Sequence, residues 1–134
     1  MPAGYSGTPL AKKLGYGDGA SVYAVSMPAS VKAEIAESAK PSFTARAAKG
    51  QPAAHVFATK AKVLEVELKK LRPLLASDGM IWVSWPKKAA KVETDITEDT
   101  IRKIALPMGY VDVKVCAVDE TWSGLKLVIR KSER

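Results

Sequence analysis

The chain has 134 residues, of which 47% are apolar and 26% charged, and its net charge is +7. That length and balance suit one globular unit, large enough to bury roughly two-thirds of the surface its unfolded chain exposes. One cysteine, Cys116, and one histidine, His55, exclude an internal disulfide and leave no ligand set for a structural zinc site.

Residues 1–7 read as a loose N-terminus, and Met1-Pro2-Ala3-Gly4-Tyr5 has no charged-then-apolar secretory pattern. Thr8 to Leu14 predicts a short helix with Thr8 as its cap and Pro9 in its first position. Gly15 to Gly19 is a turn and residues 20–27 a strand. Ser30 to Ser38, with Val31, Ile35 and Ala39 at near-helical spacing, is a short helix. Pro41, Gly50 and Pro52 punctuate residues 40–52, where Phe43-Thr44-Ala45 either joins the sheet as a short strand or lies over it as a loop.

Ala53 to Ala58 predicts a buried strand. Thr59 can cap a helix in which Leu64, Leu68, Leu71 and Leu75 form one apolar stripe. Pro73 should loosen its last turn and Asp78-Gly79 should close it, with Met80 to Trp85 following as an apolar strand. Asp95 and Glu98 have capping-box spacing ahead of Ile101, Ile104, Ala105 and Met108, a second amphipathic helix that stops near Pro107-Met108-Gly109. Val111, Val113, Val115 and Ala117 then alternate with Asp112, Lys114 and Cys116. Asp119 to Gly124 makes a turn, and Leu125, Leu127 and Ile129 alternate in their turn, which completes an antiparallel hairpin.

This order predicts a single three-layer, Rossmann-like α/β domain over residues 1–134. Its sheet should be mostly parallel, with five or six strands and an antiparallel hairpin at the C-terminal end. No apolar run approaches the ~20 residues of a membrane span, so a cytoplasmic protein with neither membrane nor metal partner is expected.

The pieces together resemble the class I S-adenosylmethionine-dependent methyltransferase fold. Leu71-Arg72-Pro73-Leu74-Leu75-Ala76-Ser77-Asp78-Gly79-Met80-Ile81-Trp82-Val83 is similar to the segment that runs in those enzymes from a helix through a proline–glycine turn into a central strand. The terminal hairpin resembles their reversed last strand. More narrowly, Gly4-Tyr5-Ser6-Gly7-Thr8-Pro9-Leu10, Trp82-Val83-Ser84-Trp85-Pro86-Lys87-Lys88 and Val118-Asp119-Glu120-Thr121-Trp122-Ser123-Gly124-Leu125 resemble an uncharacterised family of small bacterial proteins. That likeness implies the fold and carries no activity with it.

Three departures separate the chain from the methyltransferase pattern. A methyl-donor loop needs glycines after the first strand, where backbone N–H groups approach the ligand. Here Gly15-Tyr16-Gly17-Asp18-Gly19 precedes that strand, and Ser26-Met27-Pro28-Ala29-Ser30 follows it with no glycine. A carboxylate about 20 residues farther on would hold the ribose hydroxyls, yet residues 38–64 contain no acid. The stretch between the first strand and the next strong one is also too short for two full strand–helix units. No cofactor is therefore expected.

In an open α/β sheet, ligands sit beyond the carboxyl ends of the parallel strands. That edge should collect Ser26-Met27-Pro28, Thr59-Lys60, Ser84-Trp85-Pro86-Lys87-Lys88 and Asp119-Glu120-Thr121-Trp122. Ser26, Thr59, Ser84, Trp85, Lys87, Lys88, Asp119, Glu120 and Trp122 are the candidate ligand-binding residues, and no catalytic residue is assigned. Each has a plainer reading: the tryptophans as packing, the lysines as a solvated turn, the acids as turn polarity. Asp119 and Glu120 would act as an acid–base pair only under the enzyme reading. His55 reads as a hydrogen-bonded core residue and Cys116 as a small buried hydrophobe.

Three functions follow in order of support. The first is a non-catalytic methyltransferase-like module that binds a partner protein or a small anionic ligand. The second is a divergent S-adenosylmethionine-dependent methyltransferase. The third is a nucleic-acid-binding domain using the acid-free stretch that carries Lys40, Arg46, Lys49, Lys60 and Lys62, weakened by the scarcity of aromatic residues among those cations.

Overall fold

The computed structural model describes residues 7–134, so the expected loose N-terminus lies outside the described residues except for Gly7. The regular elements are α1 (Leu10–Leu14), β1 (Ser21–Val25), α2 (Ala29–Ala36), β2 (Ser42–Thr44), β3 (Gln51–Phe57), α3 (Ala61–Leu71), β4 (Leu75–Pro86), α4 (Glu98–Ala105), β5 (Tyr110–Ala117) and β6 (Trp122–Ile129). The strands form one six-stranded sheet in the order β2-β1-β3-β4-β6-β5. β1 to β4 are mutually parallel, and β6 runs antiparallel to both β4 and β5. The Phe43 segment is thus a sixth strand, an edge strand whose Ser42, Phe43 and Thr44 pair with Ser21, Val22 and Tyr23.

Two apolar layers hold the sheet between its helices. On one face Ile81, Val83 and Trp85 of β4 pack with Leu64, Leu68 and Leu71 of α3 and Ile101 of α4. On the other, Trp82 packs with Leu10 and Leu14 of α1 and Val31 and Ile35 of α2. The leucine stripe of α3 is fully buried, each leucine contributing roughly 1.5–3 kcal/mol of gross burial energy. From β2 the chain returns to β3 without a helix: residues 45–50 cross β1 on the α3 side, where Ala47 packs against the core.

Helix starts depart from the sequence expectation at all three helices for which a cap was expected. α1 begins after Pro9 with no side-chain cap, so Thr8 does not serve. α3 begins at Ala61, and its first N–H donates to Asp95 Oδ1 at 2.7 Å rather than to Thr59. The Thr59 carbonyl instead accepts from the Thr94 hydroxyl at 2.7 Å and the Asp95 N–H at 3.3 Å. With Asp95 committed there, Thr97 caps α4 by accepting the Thr100 N–H at 3.2 Å. Replacing Asp95 by alanine should therefore weaken α3 rather than α4. The expected loss is about 1 kcal/mol in urea unfolding, with faster amide exchange at Ala61 and unchanged exchange in the first turn of α4.

Two further expectations are corrected. Asp78-Gly79 does not close α3; it lies inside β4, where the register against β3 shifts between Gln51 and Ala53. The helix has already ended at Leu71, before Pro73. In β5 the alternation breaks at a register irregularity between Asp112 and Lys114. Val113 and Val115 are half exposed on this edge strand.

Candidate functional site

From β1 the chain crosses to β2 on one side and then returns to β3 on the other. The carboxyl ends of β1 and β3 therefore frame the point where strand order reverses, the place where open α/β sheets bind ligands. A crevice of about 280 Å³ opens there, lined by Ser26, Phe57, Ala58, Thr59, Lys60, Val63 and Trp122. Ser26 follows the last residue of β1 with φ 55°, in the left-handed region, a conformation that costs free energy in a residue other than glycine. Pro28 caps α2 and has no N–H to offer a ligand.

Three of the candidate residues, Ser26, Thr59 and Trp122, line this crevice. Lys60, grouped with the same edge in the sequence, joins them. Phe57 and Val63 were not singled out by sequence pattern, since each reads as an ordinary apolar position of its strand or helix. A second hollow of about 320 Å³ lies across β1, between Met27, Lys32 and Phe43. Lys32 sits 5.5 Å from the centre of the Phe43 ring there.

The other candidates take different roles. Ser84 and Trp85 are buried, Ser84 against His55 and Trp85 in the α3–α4 core. Lys87 is fastened by its backbone, its N–H donating to the Thr121 carbonyl at 2.7 Å, while Lys88 and Glu120 are exposed. Asp119 Oδ1 accepts the N–H groups of Thr121 and Trp122, both at 2.8 Å, so this carboxylate sets the entry to β6 and with it the backbone position of Trp122. Its charge also reaches α2: Glu34 has its carboxyl pushed up by partial burial first and by Asp119 second.

Beneath the crevice runs a buried polar chain. Tyr16 Oη lies 3.0 Å from His55 Nδ1, and His55 Nε2 lies 2.7 Å from Ser84 Oγ. In either tautomer a neutral ring donates to one hydroxyl and accepts from the other. The spacing is that of a nucleophile, a base and an orienting hydroxyl, yet His55 and Ser84 are both fully buried, so no substrate atom reaches the serine. Burial lowers the His55 pKa to about 3 and raises that of Tyr16. His55 also stacks on Phe57, ring centres 4.3 Å apart. Cys116 offers no better nucleophile, because burial raises its thiol pKa.

The basic stretch does not converge on one surface. Lys40 and Lys49 flank the amino ends of the strands, where the Lys40 N–H meets Asp18 and Gly50 meets Leu74. Lys60 and Lys62 lie at the opposite edge, where α3 begins. Among the described residues, no group of three or more His, Cys, Asp or Glu side chains comes together to hold a metal ion. No helix among them is long and apolar enough to cross a membrane.

No family model matches the sequence, and no curated protein matches it. Solved structures do match in fold. The Burkholderia thailandensis 1,6-didemethyltoxoflavin-N1-methyltransferase, with bound 1,6-didemethyltoxoflavin and S-adenosylhomocysteine, is 12% identical with a TM-score of 0.63, the match covering 91% of this chain and 75% of that one. A SAM-dependent methyltransferase from Aquifex aeolicus is 14% identical with a TM-score of 0.61, covering 90% of this chain and 87% of that one. At these identities the likeness is one of fold: a Rossmann-like, class I methyltransferase-like α/β domain.

Proposed function

We propose that this chain is a methyltransferase-like binding module that holds a small anionic ligand, or an acidic segment of a partner protein, at the crevice between β1 and β3. It does so in the cytoplasm and without transferring methyl groups. The observation that carries this reading is the β1–α2 crossover, Ser26-Met27-Pro28. It has no glycine to bring backbone N–H groups against a nucleoside, and no acid lies between residues 38 and 64 to hold ribose hydroxyls. Around the same ends stand Lys32 and Lys60, a charge balance that favours anions. The division of the basic residues between two opposite edges argues against a continuous nucleic-acid track.

The fold likeness favours a second reading, a divergent S-adenosylmethionine-dependent methyltransferase using the same crevice. Amide NMR spectra recorded during separate titrations with pyrophosphate and S-adenosylhomocysteine divide the two. The module reading expects saturable shifts at Ser26, Thr59 and Lys60 with pyrophosphate and none with S-adenosylhomocysteine. The reverse pattern would overturn the module reading in favour of a methyl-donor site.

A further inference from the structure

We propose that the free edge of β5 is a docking site for an extended segment of a partner protein in which an acidic residue stands between two apolar ones. The segment adds a strand beside residues 113–116, its acid facing Lys114 and Lys126 and its apolar side chains facing Val113 and Val115. This edge lies at the far side of the sheet from β1, so it stands apart from the crevice and from any reading of it.

β5 pairs with β6 alone, so no strand of the sheet lies along its other side. An open edge takes up a further strand through its backbone groups, and alternate side chains then select the partner. The two faces of this edge differ in kind. Lys114 stands opposite Lys126, which stands opposite Trp82, so both lysines rise on the α1–α2 side, where Trp82 packs. Val115 stands opposite Leu125, which stands opposite Val83, on the α3–α4 side. By alternation from Lys114, Val113 turns the same way as Val115, and the two are 54% and 53% exposed.

Like charges set directly across from one another on neighbouring strands repel. Among the described residues neither Lys114 nor Lys126 forms a salt bridge. Burial raises the Cys116 thiol pKa, and the charges acting against it are those of Lys13 and Lys114, so the field on this face is positive. The one acid of β5, Asp112, stands opposite Leu127 on the other face and is held by Arg102 at 3.1 Å. A second copy of β5 laid alongside would therefore bring no acid to Lys114, which points to a partner of different sequence. A lysine on an edge normally discourages pairing. Here it sets the condition for pairing, because only a strand that places an acid opposite Lys114 relieves the repulsion. The register shift between Asp112 and Lys114, and the Lys13 ammonium on the Ala117 carbonyl at 3.0 Å, confine the free stretch to a few residues. An apolar–acid–apolar triplet fits that length, and it reads the same in either strand direction.

The test follows backbone amides of the full chain by NMR during titration with acetyl-Val-Glu-Val-Glu-Val-amide and with the same peptide carrying lysine for glutamate. Lys114→Glu is compared with Lys49→Glu, which reverses a charge outside β5 and β6. Both lysines are exposed, so both variants should fold. The expected result is saturable shifts and slowed amide exchange confined to residues 113–117, with the glutamate peptide about 3- to 10-fold tighter than the lysine peptide. That preference should reverse in Lys114→Glu and persist in Lys49→Glu. Equal affinity for the two peptides would overturn the requirement for an acid. Shifts at Ser26 and Thr59 in place of β5 would overturn the edge as the site, as would silence with both peptides. Concentration-dependent shifts of the β5 amides with no peptide present would make a second copy the occupant and overturn the proposed partner.

Discussion

His55 should contribute a fall in unfolding free energy of about 1.4 kcal/mol for each pH unit below about 6.5. Its folded pKa is lowered by burial to about 3, against roughly 6.5 in the unfolded chain. Between those values the unfolded state binds a proton that the folded state refuses. The contribution is therefore fully present above pH 6.5 and is lost as pH falls toward 3, a total of about 5 kcal/mol. That is large against a typical stability of about 5–15 kcal/mol. A protonated imidazole would have two donors facing the Tyr16 and Ser84 hydroxyls and no counter-charge, since burial alone accounts for the shift. Urea unfolding at a series of pH values measures the slope directly. A His55→Gln variant keeps a donor and an acceptor but does not titrate, so its curve should be flatter by one proton over the same window. Parallel curves for the two proteins would contradict the assignment.

Replacing Trp82 by alanine should be the most damaging single truncation in the core. Trp82 is the largest fully buried side chain, and its indole N–H donates to the Leu14 carbonyl at 2.8 Å. That bond joins β4, at the centre of the sheet, to the last residue of α1. A helix as short as Leu10–Leu14 does not persist without tertiary contacts. Truncation leaves a cavity worth about 3–5 kcal/mol and strips the Leu14 carbonyl of its donor. Trp82→Phe separates the two effects, because it keeps most of the volume and removes only the donor, at about 1–3 kcal/mol. Urea midpoints should fall in the order wild type, phenylalanine, alanine. If the alanine variant lost less than about 2 kcal/mol, the docking of α1 through this residue would be wrong.

Much of the fold is legible because its signals are local. The run Ile81 to Trp85 is apolar but for Ser84, as suits a strand covered on both faces, and Leu64, Leu68 and Leu71 repeat on one helical face. The strand order then implies which loops share the carboxyl edge, which is how Ser26, Thr59 and Trp122 could be named together. What resisted reading depends on contacts between distant residues. Asp95 lies three residues before Glu98, which suggests a box for α4, but its partner is Ala61, thirty-four residues earlier. Tyr16 sits in a glycine-rich turn, and nothing local reveals that it bonds His55, thirty-nine residues on. Ser84 and Trp85 were named with the edge, yet neighbouring residues in a doubly covered strand point to opposite cores. Phe57 escaped notice because it is a core residue, 2% exposed, that only borders the crevice at the end of its strand.

The lack of a nucleoside cradle at the β1–α2 crossover is the centre of this account. Isothermal calorimetry with S-adenosylhomocysteine, carried to about 1 mM ligand, tests it most directly. The account predicts no saturable heat, because Ser26-Met27-Pro28 has no glycine for close backbone approach and residues 38–64 hold no carboxylate for a ribose. A one-to-one isotherm with a micromolar dissociation constant, abolished by bulky substitution at Ser26, would contradict it.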